Sequence, residues 1–453
     1  MTATVIRGQR VLLPSGLGPA ALHIDGGRIR DITPFETIGS PGTLVDAGDL
    51  LVTPGIVDSH VHINEPGRTE WEGFQSATEA AAAGGITTVV DMPLNCIPAT
   101  TSAAAAEAKR EALRDQTHVD VAFWGGVVPG NTSELAALAA FGVPGCKCFL
   151  CPSGVDEFPH VARTDLDLAL PVLRDLGLTL LVHAEAPGPL EQAERELARE
   201  GSDPRRYETY LRSRPNAAED RAIEMVIALA EQHRAPVHIV HLSSATALPA
   251  IAEAQARGVP ITAETCLHYL AFSAEEIPDG DTFYKCAPPI REASNREQLW
   301  SALGSAISQV VSDHSPCTPG LKLHESGDFM RAWGGIAGLQ LGLSVLYTEA
   351  SRRGVDLATM FQWNAVAPAA LAGLAQRKGK LAPGFDADIV IWNDRESFVV
   401  APSAIRHRHK STPYAGRTLT GIVEQTFVRG ERAYSRALGL ASRPVGSFVS
   451  AVR

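Results

Sequence analysis

The segment DSHVHINEPGR, residues 58–68, places two histidines two positions apart directly after the strand-like run LLVTPGIV. Side chains at positions i and i+2 of a strand point to the same face, so His60 and His62 should converge on one point. Two converging imidazoles can hold a metal ion. An isolated pair of this kind is equally compatible with a surface pair, or with one core histidine and one solvated histidine. Other features of the sequence are needed to distinguish these interpretations.

Other chemically capable side chains end strand-like runs further along the chain. They are Asp91, Lys147, His183, His241 and Asp313. Imidazoles suit Zn²⁺ and similar divalent ions, and a carboxylate helps to neutralise the charge of the ions. An ordinary lysine is out of place there, because an ammonium group has no lone pair and repels a cation. Lys147 is therefore either a side chain that reaches from a rim to solvent, or a carbamate formed from the neutral amine and CO₂, which can bridge two metals.

The elements that would position these residues can be read from the pattern around them. Eight strand-like runs, such as GGITTVVDMP and LTLLVHAE, alternate with Ala- and Glu-rich amphipathic segments such as TSAAAAEAKREALRDQ. Eight βα units in a row predict an α/β protein with a (β/α)8 TIM barrel rather than an open sheet. In that barrel the C-terminal strand ends face the active site, so the polar residues that end the runs would form one site.

The two ends of the chain fall outside this alternation. Residues 1–52 and 381–453 contain short strands and turns, and the Gly-Gly pair in DGGRI suits a tight hairpin. We therefore expect a discontinuous β-sandwich domain built from both ends, beside a barrel domain of residues 53–380.

Composition and charge exclude several classes of partner. The net charge is −11, and no cluster of Lys and Arg indicates binding to nucleic acid or to an anionic membrane. The sequence shows neither a charged leader with an apolar core nor an apolar run long enough for a membrane span, so we expect a cytoplasmic protein. The seven cysteines are scattered, which fits reduced thiols better than a disulfide framework.

The order H-x-H, lysine, histidine, histidine and aspartate at successive strand ends resembles the cyclic amidohydrolases of the amidohydrolase superfamily. This group includes dihydroorotases, hydantoinases and dihydropyrimidinases, and allantoinases. Within it, the chain is most similar to the allantoinase family, through the motifs DMPLNCIPATT (91–101), PSGVDEFP (152–159), ETCLHYL (264–270), YKCAPPIR (284–291), SDHSPCTP (312–319) and WGGIAGLQ (333–340). The resemblance spans nearly the whole chain and includes the split β domain.

This resemblance implies a specific site and reaction. Two divalent ions, Zn²⁺ foremost with Mn²⁺, Co²⁺ and Fe²⁺ also compatible, would be held by His60, His62, carbamylated Lys147 (N6-carboxylysine), His183, His241 and Asp313. Water activated by the ions would open the cyclic amide of allantoin to give allantoate, a step of purine breakdown. Asp313 would act as both ligand and base. The resemblance also implies a homo-oligomer, specifically a tetramer.

Two positions separate the chain from the sister families. Dihydroorotases follow the histidine pair with an arginine that clamps the substrate carboxylate, whereas this chain has Asn64, which cannot form a bidentate ion pair. Hydantoinases and dihydropyrimidinases place a tyrosine five residues after the carbamylated lysine, whereas Pro152 has no hydroxyl donor. Both positions favour allantoin. Cys96 is a small departure, because the allantoinase pattern has serine there.

Five residues are candidates for substrate contact. Asn64 and Asn95 would bind the ureido arm, although asparagine is also common in loops for structural reasons. Ser315 would donate from its hydroxyl group, unless it serves as a local cap. Ala287 and Gly334 would read the amide edge through main-chain groups.

Two further functions remain open from the sequence. One keeps the enzyme class but changes the ring to a hydantoin or a dihydropyrimidine, and Pro152 argues against it. The other is a non-catalytic scaffold protein, because some relatives keep this barrel but lose metal ligands. None of the six ligand positions is lost here.

Overall fold

The structure is a computed structural model that describes residues 4–39 and 41–451. Its strands are β1 (Thr4–Leu13), β2 (Gly16–Asp25), β3 (Arg28–Thr33), β4 (Thr43–Asp46), β5 (Leu51–Pro54), β6 (Ile56–Val61), β7 (Ile86–Asp91), β8 (Asp120–Phe123), β9 (Gly125–Gly126), β10 (Gly145–Phe149), β11 (Thr179–His183), β12 (Val237–Ile239), β13 (Ile261–Cys266), β14 (Gln309–Val311), β15 (Ile389–Val399), β16 (Thr418–Val428), β17 (Glu431–Ser435) and β18 (Gly439–Leu440).

The α-helices lie in the segments that follow the barrel strands. They are α1 (Phe74–Ala83), α2 (Ala103–Ala112), α3 (Leu135–Phe141), α4 (Arg163–Asp175), α5 (Pro187–Glu200), α6 (Tyr207–Ser213), α7 (Asn216–His233), α8 (Leu248–Ala256), α9 (Leu267–Ala271), α10 (Ala293–Ala302), α11 (Gly342–Arg352), α12 (Leu357–Phe361) and α13 (Ala367–Leu371). Among residues 4–39 and 41–451, no helix has both the length and the apolar character needed to cross a bilayer.

Strands β6 to β14 form the barrel, and every pairing between them is parallel. The third strand is split at Trp124 into β8 and β9. The circle closes where Val61, at the end of β6, pairs with His314, beyond the end of β14. Nearly all side chains of these strands are buried, as expected where helices cover a parallel sheet. The predicted TIM barrel is therefore confirmed.

The remaining strands form one sheet from the two ends of the chain. Its order is β18-β17-β16-β15-β5-β1-β2-β3, and β4 pairs with β1. The free edge of β3 is covered because Arg28 pairs with Asp386, three residues before the chain enters β15. The sheet thus folds back on itself around a small core that includes Ile6, Leu22 and Ile389. This is the expected terminal β domain.

We propose that the chain divides at residues 52 and 381, as expected. Within the C-terminal part, however, the last described residues do not join the terminal sheet. Val121 of β8 pairs with Phe448, and the Val449 amide donates to the Val121 carbonyl at 2.9 Å. Gly446 permits this contact, because a Cβ atom there would lie 2.0 Å from the Val119 carbonyl oxygen. Residues 446–451 therefore pack on the base of the barrel rather than in the terminal sheet.

A buried ion cluster lies at this base, where strand β8 begins. The Lys378 ammonium contacts carboxylate oxygens of Asp120 at 2.6 Å, Asp388 at 2.7 Å and Asp386 at 3.1 Å, and Arg429 forms a second ion pair with Asp120. We call these five residues the base cluster. It joins β8 of the barrel to the segments that flank β15 and β16 of the terminal sheet.

Candidate metal centre

The histidine pair that follows β5 lies at the end of the first barrel strand. His60 is the penultimate residue of β6 and His62 follows it by two positions, so both rings lie on one face, with centroids 5.5 Å apart. The Oδ1 atom of Asp313 lies 3.2 Å from His60 Nε2 and 3.6 Å from His62 Nε2. Ligand atoms of these three buried residues lie within 4.8 Å of one another, which is the spacing of a shared metal ion.

Two further histidines approach from the opposite side. His183 ends β11 and His241 follows β12 by two residues, and their ring centroids are 4.6 Å apart. His241 also lies 5.5 Å from His60, measured between ring centroids. Lys147, in the middle of β10, is buried, and it lines one cavity together with His62, His183, His241 and Asp313. The structure thus brings together all six predicted ligands.

Asp91 does not join this group, although it also ends a strand. Its carboxylate accepts from the Ile63 amide at 2.7 Å and from the buried Lys109 ammonium at 2.5 Å. Both of its oxygens are thereby occupied, and Asp91 supports the loop that follows the histidine pair.

Burial sets the protonation of the candidate ligands. It lowers the pKa of His183 to about 4 and holds the pKa of His62 and of His241 well below the usual histidine value, with nearby positive groups adding to the effect. Neutral imidazoles have the lone pair that a metal needs. Among the residues that the structure describes, His60 Nε2 and His241 Nδ1 are buried without a hydrogen-bond partner, so a lone pair is available on each ring. The donor set therefore fits a divalent metal centre.

Two buried carboxylates orient these histidines, and the sequence reading missed both. Glu264 of β13 accepts from His60 Nδ1 at 2.5 Å, and His238 and Gln309 hold its other oxygen at 3.1 Å and 2.9 Å. Glu185 lies 2.7 Å from His183 Nε2. A carboxylate behind a ligand histidine fixes which ring nitrogen faces the metal. The only signal in the sequence was that each glutamate lies in a strand-end motif, HAE or ETC.

Glu185 is in turn held by an arginine of the cavity wall. Arg214 donates from Nε at 2.9 Å and from Nη2 at 2.5 Å, one bond to each carboxylate oxygen. Burial opposes ionisation of Glu185, but the Arg214 charge and the His183 contact hold its pKa well below the usual value.

Five of the six residues border a cavity of about 370 Å³, and His60 lies behind them, with Nε2 3.2 Å from Asp313 Oδ1. Four of the five expected substrate contacts line the cavity: Asn95, Ala287, Ser315 and Gly334. Asn64 does not, because it is buried and its amide donates to the Pro316 carbonyl at 3.3 Å. Cys96 is also directed elsewhere, with Sγ 3.4 Å from the Pro93 carbonyl oxygen. Other side chains on the wall had not been expected, among them Tyr210, Arg214, Lys285, Arg331 and Trp333.

The backbone around the site is held in an unusual conformation. Asn64, Asn95, His241 and Asp313 have φ values of 66°, 68°, 40° and 43°. Residues other than glycine adopt this left-handed region at an energetic cost, although Asn, Asp and His do so more often than other residues. Such strain is typical of functional sites, where the surrounding structure enforces the geometry.

Comparison with known proteins gives the same assignment. Residues 51–433 match the Amidohydrolase family. The chain is 48% identical over 448 residues to the allantoinase of Streptomyces avermitilis, with 98% of each chain covered. It is 44% identical over 420 residues to the allantoinase of Saccharomyces cerevisiae, covering 92% of this chain and 89% of the yeast protein.

A solved structure extends the comparison to the fold. The L-hydantoinase (dihydropyrimidinase) of Arthrobacter aurescens superimposes with a TM-score of 0.95 at 28% identity, covering 99% of this chain and all of the other. The barrel, the ring of strand-end residues and these full-length similarities agree. The chain therefore belongs to the amidohydrolase family and, within that family, to the allantoinases.

Proposed function

We propose that the protein hydrolyses the cyclic amide of allantoin and releases allantoate. The observation that carries this proposal is the convergence of six barrel residues on one site, five of them on the cavity wall, in a chain whose relatives over nearly its full length are allantoinases. His60, His62, Lys147, His183, His241 and Asp313 would hold two divalent ions, Zn²⁺ in the first place. When bound, these ions supply activated water at neutral pH and polarise the ring carbonyl.

Lys147 would hold the ions as a carbamate. Its side chain is buried, and burial lowers the pKa of the ammonium group to about 8, so a fraction of neutral amine is present at neutral pH. CO₂ reacts with that neutral form. Lys147 has no ion pair among residues 4–39 and 41–451, although Asp313 and Glu264 stabilise its charge at longer range. A bridging anion would explain a lysine in this position.

Asp313 would move the proton during ring opening. Burial raises the pKa of its carboxyl group, and the neighbouring His60 and Lys147 oppose that rise. A carboxylate of raised pKa is a stronger base. Its oxygen would take a proton from the attacking water and return it to the ring nitrogen that leaves.

The cavity wall offers partners for the polar substrate. The side-chain amide nitrogen of Asn95 is 3.3 Å from His62 Nδ1, while its side-chain oxygen Oδ1 is buried and has no hydrogen-bond partner among the described residues. Ala287 and Gly334 are adjacent, since a Cβ atom on Gly334 would lie 3.7 Å from the Ala287 nitrogen. We propose that Asn95 and Ser315 contact the substrate through side chains, and Ala287 and Gly334 through the backbone. The position of Asn64 behind the wall argues against a direct contact from it.

Hydrolysis of a hydantoin or a dihydropyrimidine is the second candidate function. The similarity to a solved hydantoinase structure favours it. Pro152 argues against it, because this residue lines the cavity without a hydroxyl group.

The experiment is hydrolysis of allantoin, hydantoin, dihydrouracil and dihydroorotate by the purified protein. Each is measured before chelation, after chelation, and after Zn²⁺, Mn²⁺ or Co²⁺ is restored with bicarbonate. We expect turnover of allantoin that chelation abolishes and metal with bicarbonate restores. Turnover of hydantoin or dihydrouracil alone would refute the substrate, and no turnover of any ring at full metal content would indicate a scaffold protein.

We also propose a homotetramer in the cytoplasm. The seven cysteines are all buried, and no disulfide joins them in the part of the chain that the structure describes, which fits a reducing compartment. Light scattering coupled to size-exclusion chromatography measures the assembly, and cell fractionation tests the location.

A further inference from the structure

Lysine is distributed in this chain in an unusual way. Of 40 Lys and Arg residues only seven are lysines, and five of the seven are buried: Lys109, Lys147, Lys285, Lys322 and Lys378. The two others, Lys380 and Lys410, are exposed. Lysine is among the residues least often buried, so each buried lysine calls for a partner or a function.

Three of the five buried lysines are explained by their surroundings. Lys109 pairs with Asp91, Lys378 belongs to the base cluster, and Lys147 lies in the candidate metal centre. Lys285 and Lys322 differ, because neither forms an ion pair with any described residue. Burial lowers the pKa of Lys285 to about 7 and that of Lys322 to about 8.

Both ammonium groups bind carbonyl oxygens of one short segment, residues 330–335, which we call the wall segment. Lys285 donates to the carbonyls of Met330 at 3.1 Å and Ala332 at 2.5 Å. Lys322 donates to the carbonyls of Trp333 at 3.2 Å and Gly335 at 2.5 Å. Four of the six carbonyls in the wall segment are thus held by two side chains.

The two lysines are also tied to each other. Lys322 donates a third bond to the Lys285 carbonyl at 3.2 Å, and the Gly335 amide donates to that same carbonyl at 2.8 Å. On the side away from the lysines, the wall segment is in close contact with Ser315. A Cβ atom on Gly335 would lie only 2.2 Å from the Ser315 carbonyl oxygen. The wall segment is therefore fixed between the lysine pair and Ser315.

Stability alone does not account for this arrangement. An ammonium buried without a carboxylate loses hydration that neutral carbonyls replace only in part, and apolar side chains of similar volume often stabilise a protein more. Residues that lower stability in this way, against the usual preference for paired buried charges, are expected at functional sites. The position agrees, because Lys285 and the wall residues Trp333, Gly334 and Gly335 all line the cavity.

We propose that Lys285 and Lys322 are positioning residues, a two-lysine clamp that sets the main chain of the wall segment for substrate binding. The inference rests on the proposed function, in which Gly334 reads the amide edge through its backbone. The clamp aligns the carbonyls with the two ammonium groups, so the wall that faces the substrate is rigid and electropositive.

The test compares Lys285→Met and Lys322→Met with the parent protein and with Lys380→Met, which removes an exposed lysine. All are used with metal bound, and metal content is measured. Hydrogen exchange of residues 330–337 is recorded together with kcat and KM for the ring that the parent hydrolyses. We expect exchange to rise by about 10-fold or more in both clamp variants, since each loses two or three charge-assisted hydrogen bonds. KM should rise about 10-fold while kcat changes little, and Lys380→Met should match the parent.

Lys285→Arg serves as the conservative variant. Lys285 borders the cavity, so a guanidinium has room there, and we expect part of the KM increase to be reversed. A lower unfolding midpoint with unchanged exchange and unchanged KM would show that the lysines are merely structural and would overturn the proposal. So would faster exchange that leaves KM unchanged. If the parent hydrolyses hydantoin instead of allantoin, the proposed substrate is wrong, but the clamp is still tested by KM for hydantoin and by exchange.

Discussion

The base cluster and the two-lysine clamp bury the same chemical group for different purposes. At the base, the Lys378 ammonium lies within 3.1 Å of three carboxylates, and Arg429 adds a second cation. At the cavity, Lys285 and Lys322 contact neutral carbonyls, and Lys285 also lies over the Tyr210 ring, but neither pairs with a carboxylate among the described residues. Buried charges that are fully paired hold two parts of the molecule together, whereas charges left without a counter-ion keep part of their field for a ligand. The comparison predicts that base variants affect stability and cavity variants affect catalysis.

The largest effect is expected from Asp313→Asn. The amide keeps the shape of the side chain but cannot accept the proton of the attacking water, so kcat should fall by about 10²–10⁴-fold with a smaller change in KM. Steady-state kinetics on protein with verified metal content measures this. An unaltered kcat at full metal content would contradict the role of Asp313 as base.

Lys378→Met at the base should lower stability and leave kcat unchanged. It leaves three buried carboxylates without their shared cation, which typically costs about 3–5 kcal/mol in the free energy of unfolding. The metal-centre residues are untouched, so kcat of the folded fraction should equal that of the parent. Denaturant titration measures the loss, and Lys380→Met, two residues away and exposed, is the control. Loss of kcat without loss of stability would break the comparison.

Variants of the two carboxylates that hydrogen-bond the ligand histidines should have an intermediate effect, on metal affinity. Glu264→Gln weakens the acceptor of His60, and Glu185→Gln weakens that of His183, so metal affinity should fall by about 10–100-fold in each variant. Competition with a chelator measures the affinity without reference to activity. Glu325→Gln, at an exposed position, should behave as the parent does. Unchanged affinity in both variants would remove these glutamates from the metal centre.

The smallest effect is a pH dependence that arises from the cavity end of the molecule. Burial lowers the pKa of His268 to about 3, and neither of its ring nitrogens has a hydrogen-bond partner within residues 4–39 and 41–451. An unfolded histidine has a pKa near 6.5, so below that pH the unfolded state takes up a proton that the folded state does not. Stability from this residue is complete above pH ~6.5 and is lost as the pH falls towards the folded value.

Denaturation of the metal-free protein at pH 7, 6 and 5 tests this dependence. Between pH 7 and pH 5, His268→Phe should lose about 1–2 kcal/mol less than the parent. His324→Gln, which changes an exposed histidine, should retain the slope of the parent. An equal slope in His268→Phe would contradict the prediction. Lys378 should not contribute in this range, because its carboxylate partners raise its pKa above the usual lysine value.

The sequence was sufficient for the barrel and for the group of candidate ligands. Strand-like runs that end in histidine, lysine or aspartate identify the C-terminal end of the barrel, and parallel strands bring those ends together whatever loops separate them. Asp91 shows the limit of this rule, because a polar strand end also serves as a partner for a buried cation such as Lys109.

What the sequence could not provide is the partner of each ligand. Glu264 is 204 residues from His60, and nothing in either motif specifies their contact. The orientation of Asn64 could not be predicted for a related reason, since its side-chain amide donates to the Pro316 carbonyl, which is 252 residues away. Lys285 and Lys322 could not be recognised either, because their acceptors are main-chain carbonyls, which every residue has.

The terminal sheet has a consequence for the synthesis of the protein. Strand β5 pairs with β15, and the Arg10 guanidinium binds Asp394, 384 residues later, at 2.8 Å and 2.6 Å. A ribosome that adds 5–20 residues per second needs roughly 20–80 s to span that interval. During this time the edge of β5 has no partner, and an unpaired strand edge readily associates with other chains. The nascent N-terminal strands therefore depend on shielding, by a chaperone or by the growing barrel, until translation reaches β15.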